Sequence, residues 1–441
     1  MSINTITARD LDAASVLIES IDWAHAISEW FESATPDKIV NLATAVDLFA
    51  GPGGWDEGAR MGLGDDVAAG ILGFEFEKNA VATARAAGHA RVYGDLAKVN
   101  PAFFKAPGLI ASPPCQGFSP AGNGRGREDF GHLKAALANI RSWIASDGRW
   151  GMSPEQAIAW LETVIADPKS ALILEPIRWA IRMAEQPRWL AFEQVKTCLP
   201  IWEAMAEVLR DLGYSVWTGL VHSEEYGVPQ TRTRAVLLGS LDKDVSGGPV
   251  ATHGKYNPRA DRNAQRVAAI NAGLKPWVTM GEALAWNDDT FTHMGDVYNS
   301  KGCIRRADQP AMTMTSSMDN GNFRAFDAKD IEHTNLLERI AKADGPVAEV
   351  EGDTSWVHNR PGVTVVGSFR PDVAAAPGWR KPGDGPRQKA PGSVRISVQQ
   401  AGVIQSFPAD YPWQGSESTK FQQAGNAVPC LMAAAMLETV R

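Results

Sequence analysis

Cysteine is scarce. The 441 residues contain four, Cys115, Cys198, Cys303 and Cys430, spaced too widely for a disulfide framework or a zinc knuckle. Each must be read alone. No uninterrupted apolar run approaches the roughly 18 residues that a bilayer-spanning helix needs, and the stretch from Val67 to Phe74 is only strand-sized. This argues against a membrane protein. The N-terminus, Met1-Ser2-Ile3-Asn4, meets acidic residues almost at once and lacks the basic-then-apolar order of a secretory signal, so the cytoplasm is the expected compartment. Net positive charge is missing too: 43 basic residues against 51 acidic ones leave −8, a poor overall balance for binding a polyanion. The eight histidines are scattered, and no metal is expected.

What is present describes a folded, multi-domain chain. Apolar residues make up 44% and charged residues 21%, the balance of an ordinary globular protein. The length predicts two to three domains of about 150 residues; a monomer is expected. Residues 1–43 carry apolar positions at helical spacing, including Leu17, Ile21 and Ile27, and read as a helical extension. From Thr44, strand-sized runs alternate with amphipathic stretches: Ala45 to Phe49, Val67 to Phe74, Leu109 to Ala111, Trp189 to Phe192, Ser215 to Val221 and Ala235 to Leu238. That alternation predicts an α/β domain over 44–245 with a parallel sheet and crossover helices. Helical patterns at Pro154 to Ile165 and Pro176 to Ala184 fill a connection longer than a crossover needs, so a helical insertion is expected at about 132–187. Residues 246–394 are rich in glycine, proline, asparagine and arginine and read as a second, loop-rich domain. Helical periodicity returns at Val398 to Gln405 and Leu431 to Val440, within a C-terminal segment over 395–441. Charge is uneven. Lys255, Arg259, Arg262, Arg266 and Lys275 face one acid, Asp261, and Arg370, Arg380, Lys381, Arg387, Lys389 and Arg395 face Asp372 and Asp384. Such runs are ordinarily solvated surface, and gain meaning only if chemistry elsewhere needs a polyanion.

Open α/β sheets bind ligands beyond the carboxyl ends of their strands, and those ends are informative here. After the first strand comes Asp47-Leu48-Phe49-Ala50-Gly51-Pro52-Gly53-Gly54, a turn that lets backbone approach a ligand closely. It is neither GxGxxG nor a P-loop, which disfavours a triphosphate. Glu75 and Phe76 end the second strand, where a carboxylate can accept both hydroxyls of a ribose. Asp95-Leu96 follows a third short strand, and Asp95 can accept from the exocyclic amine of an adenine. Each carboxylate alone suits a solvated loop equally well; together they point to a nucleoside. The fourth strand ends in Ser112-Pro113-Pro114-Cys115-Gln116-Gly117-Phe118-Ser119, where two prolines stiffen the approach to a cysteine. The cysteine suits a nucleophile or a packed core position. Glu193-Gln194-Val195 ends the fifth strand. Gln230-Thr231-Arg232-Thr233-Arg234 then places two arginines at i, i+2, sharing a face in extended chain.

In this order the residues resemble the DNA cytosine-5 methyltransferase family, from Val46 to Val440 with the middle domain unmatched. The resemblance implies a Rossmann-like S-adenosylmethionine-dependent methyltransferase fold with a second, loop-rich target-recognition domain. It implies that Asp47, Phe49, Ala50, Gly51, Pro52, Gly53 and Gly54 form the S-adenosylmethionine loop, with Glu75 and Phe76 at the ribose, Asp95 and Leu96 at the adenine, and Pro113 nearby. Gly425-Asn426-Ala427-Val428-Pro429 resembles the motif that returns the C-terminal helix to the cofactor, giving Asn426, Ala427 and Val428. Pro114-Cys115-Gln116 resembles the catalytic Pro-Cys-Gln. Cys115 would attack C6 of a cytosine flipped out of duplex DNA, Glu193 would hold N3 and N4, Arg234 would bind O2, and Arg232 would steady the backbone or a phosphate. Gln116 and Ser119 belong to the same catalytic set. Arg125 and Arg127, in a glycine-rich stretch, and Gln230 are expected to contact DNA, and the two basic runs gain a purpose as part of a duplex-reading domain. Two positions depart from the pattern. Gln194 stands where asparagine is usual, and Cys430 where a second proline is common.

Three other readings compete. A tRNA cytosine-5 methyltransferase would share the chemistry, but Thr197-Cys198-Leu199 does not match the Cys-Phe-Thr of RNA-acting relatives. A non-catalytic DNA-binding relative has no need of Cys115, Glu193 and both arginines, and a nicotinamide dehydrogenase would leave Pro114-Cys115-Gln116 unexplained. The resemblance leaves open whether the enzyme works beside a cognate restriction endonuclease or alone, in a bacterial or phage-infected cell.

Overall fold

The computed structural model describes residues 39–114, 118, 129–257, 260–284 and 397–441, and three strands between 285 and 396. The strands in chain order are β1 (Val40–Asn41), β2 (Ala45–Leu48), β3 (Ile71–Glu75), β4 (Ala90–Tyr93), β5 (Phe104–Lys105), β6 (Gly108–Ala111), β7 (Trp189–Val195), β8 (Ser215–His222), β9 (Thr233–Ser240), β10 (Thr290–Met294), β11 (Cys303–Arg306) and β12 (Phe323–Asp327). The chain divides into two compact units. One comprises Met1–Val221, Thr233–Val250 and Met432–Arg441; the other comprises His222–Arg232 and Ala251–Leu431. The second unit therefore takes the His222–Arg232 turn and most of the C-terminal segment, which the sequence assigned elsewhere.

The first unit is built on a seven-stranded sheet in the order β4-β3-β2-β6-β7-β9-β8. Pairs from β4 to β7 are parallel, and β7 with β9 is antiparallel. The short, wholly apolar runs of β6 and most of β2 and β3 suit strands covered on both faces. Connections from β2 run outward through β3 to β4, whereas β6 and β7 lie on its other side. The carboxyl ends of β2 and β6 thus flank a topological switch point, the expected place for a ligand. Close strand packing is visible at Gly108, where a β-carbon would stand 2.0 Å from the Trp189 ring on the neighbouring strand.

Three expectations need correction. Val67 does not begin a strand: Asp65–Ala69 is a short helix, its first turn carrying Asp65 and Asp66, and β3 starts after Gly70. Acidic residues favour a helix N-terminus and disfavour a strand. Val40–Asn41, placed in the helical extension, pairs parallel with β5; the rest of that extension lies outside the described residues. The sheet also contains an antiparallel pair, β7 with β9, rather than being parallel throughout.

The insertion between β6 and β7 holds helices at Phe130–Ala145, Pro154–Val164 and Glu175–Arg182. The second is fixed by a capping box of Ser153 and Gln156 with Pro154 at its first turn. Trp179 from the third is fully buried, its ring centroid 5.3 Å from Phe74 and 5.5 Å from Phe104. The insertion therefore supplies part of the sheet's own core. In the second unit, β10 pairs antiparallel with β11 and β12, and helices run over Arg262–Asn271, Val398–Ile404 and Glu417–Asn426.

Candidate active site

The turn after β2 is bent by left-handed backbone at Phe49 (φ 61°), Gly51 (φ 57°) and Gly53 (φ 117°). Glycine adopts this freely; Phe49 does so at a cost that its surroundings must offset. Space is open where a Gly51 β-carbon would stand. Glu75, at the end of β3, accepts the Gly51 N–H at 2.8 Å through one oxygen. Through the other it accepts the N–H groups of Phe76 (2.8 Å) and Glu77 (2.7 Å). Burial pushes its carboxyl above the usual range against the pull of those donors. Phe76 beside it is largely exposed, with its ring 6.4 Å from Tyr93 and roughly parallel to it. Asp95 caps the turn after β4 by accepting the Ala97 N–H at 3.2 Å. Leu96, by contrast, is buried in the core.

The helix Gly54–Leu63 starts from this turn, and its first turn carries Asp56 and Glu57, both buried. A phosphate placed at that helix N-terminus would meet two carboxylates. The cradle therefore suits a nucleoside without phosphates. Asp47 lies fully buried in β2, with no hydrogen-bond partner for either oxygen. Burial, and then the Asp56 charge, raise its carboxyl well above the ordinary range.

Across the switch point, Ser112 follows β6. Its N–H donates to the Leu48 carbonyl at 3.1 Å, and its Oγ accepts from Trp55 Nε1 at 2.9 Å. Gln194 in β7 donates from Nε2 to the Pro113 carbonyl at 2.7 Å, while its Oε1 accepts the Val195 N–H at 2.5 Å. Thr197 donates to the Phe118 carbonyl at 2.8 Å. The chain is thus held on either side of the segment 115–117. Cys115, Gln116, Ser119, Arg125 and Arg127 lie outside the described residues.

Glu193 and Arg234 meet directly, Arg234 Nε lying 2.8 Å from Glu193 Oε1 with both side chains nearly buried. The register explains it. Arg234 pairs with Val195, two residues from Glu193 on the same face of β7. Arg232 is buried in the second unit and donates from Nη1 to the Gly425 carbonyl at 2.8 Å, a contact that steadies backbone. Gln230 is corrected. Fully buried, it donates to Gln405 Oε1 at 3.1 Å and the Ile404 carbonyl at 3.4 Å, and cannot contact DNA. Asn426 ends the Glu417–Asn426 helix in the second unit, followed by Ala427 and Val428, both buried. Among the described residues no group of histidine, cysteine and acidic side chains could hold a metal, and no helix is long and apolar enough to cross a membrane.

A family profile described as C-5 cytosine-specific DNA methylase matches residues 43–139 and 161–441. The chain belongs to that family. This methylase transfers a methyl group from S-adenosylmethionine to C5 of cytosine in DNA. It is similar to the type II methyltransferase M1.HphI of Haemophilus parahaemolyticus, with 25% identity over 90% of this chain and 86% of that one. It is also similar to M.DdeI of Desulfomicrobium norvegicum, with 21% identity over 90% and 88%. A solved methyltransferase, Dnmt2 of S. pombe, aligns over 90% of this methylase and 97% of its own chain at 14% identity, with a TM-score of 0.48. The stretch 140–160 falls outside the family match, within the helical insertion.

Sequence reasoning missed Arg91, which runs beneath the glycine turn, and Thr197. The first had a signal in an arginine lodged inside a short strand; the second had none.

Proposed function

We propose that the methylase acts on duplex DNA through covalent attack by Cys115, with Glu193 and Arg234 holding the target base. The observation that supports this most directly is the 2.8 Å contact between Glu193 and Arg234. N3 and O2 are neighbours on one edge of cytosine, and an acid beside a guanidinium is complementary to that edge. The thiolate of Cys115 adds to C6 and leaves C5 enamine-like and nucleophilic. Glu193 keeps a proton on N3 as electron density enters the ring, and Arg234 donates to O2. Gln194 and Thr197 hold the carbonyls that flank the nucleophile's segment, so positioning comes from β7 and the turn after it. S-adenosylmethionine, when bound, supplies the methyl group that C5 takes. Loss of the C5 proton to a base then expels Cys115 and restores the aromatic ring.

The cofactor's nucleoside is assigned to the turn Phe49–Gly54, with Glu75 toward the ribose, Phe76 beside the adenine and Asp95 toward its amine. Glu75 already accepts three N–H donors, which leaves about one of its roughly four lone-pair sites for a hydroxyl. Arg125 and Arg127 are assigned to DNA phosphates. We also propose that the protein is a monomer that works in a bacterial or phage-infected cytoplasm, beside a cognate restriction endonuclease. The type II names of its relatives support that partnership. The test incubates the protein with labelled S-adenosylmethionine and mixed-sequence duplex DNA and digests the product to nucleosides. Label in 5-methyldeoxycytidine, absent with Cys115→Ala and reduced by about a hundredfold or more with Glu193→Gln, is expected. Label that survives Cys115→Ala contradicts the reading.

A further inference from the structure

Arg91 has a fully buried side chain and lies outside the set that acts on the target base, Cys115, Glu193 and Arg234. The register places Asp47 of β2, Gly73 of β3 and Arg91 of β4 in one row across the sheet, on one face. Because Gly73 has no side chain, the guanidinium passes over it. A β-carbon there would stand 2.4 Å from Arg91 Nη1 and 2.6 Å from the Ala50 β-carbon. Beyond Gly73, Arg91 forms a two-pronged contact with Asp56, at 3.0 Å to Oδ1 and 2.5 Å to Oδ2. It also donates to the Gly51 carbonyl from Nε and to the Ala50 carbonyl from Nη2, both at 3.4 Å. The N–H groups of the same two residues are held from the other side, Ala50 by the Phe74 carbonyl at 3.0 Å and Gly51 by Glu75 at 2.8 Å. All four backbone polar groups of Ala50–Gly51 are therefore partnered, and Arg91 takes both carbonyls. Left-handed backbone at Phe49 and Gly51 flanks Ala50.

We infer that Arg91 is a positioning residue for the S-adenosylmethionine turn: threaded past Gly73, it fixes the Ala50 and Gly51 carbonyls and so holds the turn in the shape that receives the cofactor. The inference rests on the proposed siting of the cofactor at Phe49–Gly54. The groups facing the guanidinium are Asp56 and Asp47, with Glu75 at the turn and with His89 and Glu57 paired to each other at 3.0 Å. Burial alone would raise Asp56, but Arg91 and His89 outweigh it and hold the carboxyl below its usual range. Asp56 is thus the ion-pair partner of Arg91, while burial pushes the Asp47 carboxyl well above its ordinary range.

Three variants test this. Arg91→Lys keeps the charge but lacks the fork that spans two carbonyls and a carboxylate. Arg91→Met combined with Asp56→Asn removes the pair together and leaves no buried lone charge. Gly73→Ala keeps Arg91 and displaces its guanidinium. The readouts are calorimetric affinity for S-adenosylmethionine and steady-state kinetics with DNA. The Kd and KM for S-adenosylmethionine are expected to rise together, by about tenfold in the double variant and less in Arg91→Lys. With cofactor saturating, kcat and the KM for DNA are expected to stay within about twofold. A general loss of structure would instead lower kcat. Glu75→Gln is measured in parallel. Cofactor affinity lost in Glu75→Gln but unchanged in the Arg91 variants overturns the role of Arg91 alone. Affinity unchanged in all of them overturns the siting of the cofactor, and this inference with it.

Discussion

Gln194 is one carbon longer than the asparagine usual in its motif, and the extra reach is used. Its amide spans from the Val195 N–H to the Pro113 carbonyl on the adjoining strand's exit. Both contacts are buried, so neither competes with water. Gln194→Ala removes the Gln194 donor from the Pro113 carbonyl beside the nucleophile's segment and is expected to lower kcat by about ten- to a hundredfold, with the calorimetric Kd for S-adenosylmethionine unchanged. Loss of cofactor affinity at equal kcat would contradict a role confined to the nucleophile. Residue types were legible here in advance: Glu193 and Arg234 stood out because charged groups at strand ends need a reason. Gln230 was misread because burial is set by the second unit, whose packing has no period in the sequence. A glutamine looks the same whether it faces DNA or a backbone carbonyl.

Among the elements, the His222–Arg232 turn shows how a polar segment is held without regular structure. The Ser223 N–H donates to the Arg232 carbonyl at 2.9 Å and its hydroxyl to the Gln230 carbonyl at 2.5 Å. Glu224 is buried in the same turn. Desolvation, and then the neighbouring Glu225, push its carboxyl up to about 7. A carboxyl raised in the folded state binds its proton more tightly there than in the unfolded chain. Its stabilising effect is complete below the unfolded value near 4.5 and is lost as pH rises through about 7. The loss is on the order of 3 kcal/mol. Urea unfolding at pH 5 and pH 8 is expected to show Glu224→Gln gaining stability over wild type at the higher pH and little at the lower. Equal differences at both would contradict the burial argument. The strand core Gly108–Ala111 was legible because an apolar run of strand length between Pro107 and Pro113 leaves few alternatives. The sheet β10–β12 was not, for Thr290–Met294 and Cys303–Arg306 mix polar and apolar residues without strict alternation.

At the scale of the whole molecule, a chain of net charge −8 acts on a polyanion. Charge is partitioned rather than balanced. The catalytic unit buries two of its carboxylates against arginines, Asp56 with Arg91 and Glu175 with Arg178, while the basic runs lie beyond residue 250. The overall organisation was legible because motif order fixes strand order: a glycine turn, two acids, a Pro-Pro-Cys and a Glu at successive strand ends fit a sheet with one switch point. The reach of the second unit was not, since Ala251–Leu431 groups with a turn far upstream that carries no boundary signal. Covalent attack by Cys115 is tested most directly with a duplex in which every cytosine is 5-fluorocytosine, so that no recognition sequence need be known. Fluorine at C5 cannot leave as the proton does, and the Cys115–C6 bond should persist after methyl transfer. The expected result is a protein–DNA band stable to denaturation that requires S-adenosylmethionine, maps to Cys115 by peptide mass, and is absent with Cys115→Ala. Methylation of ordinary DNA with no retained adduct on the fluorinated duplex, or an adduct that survives Cys115→Ala, would contradict it.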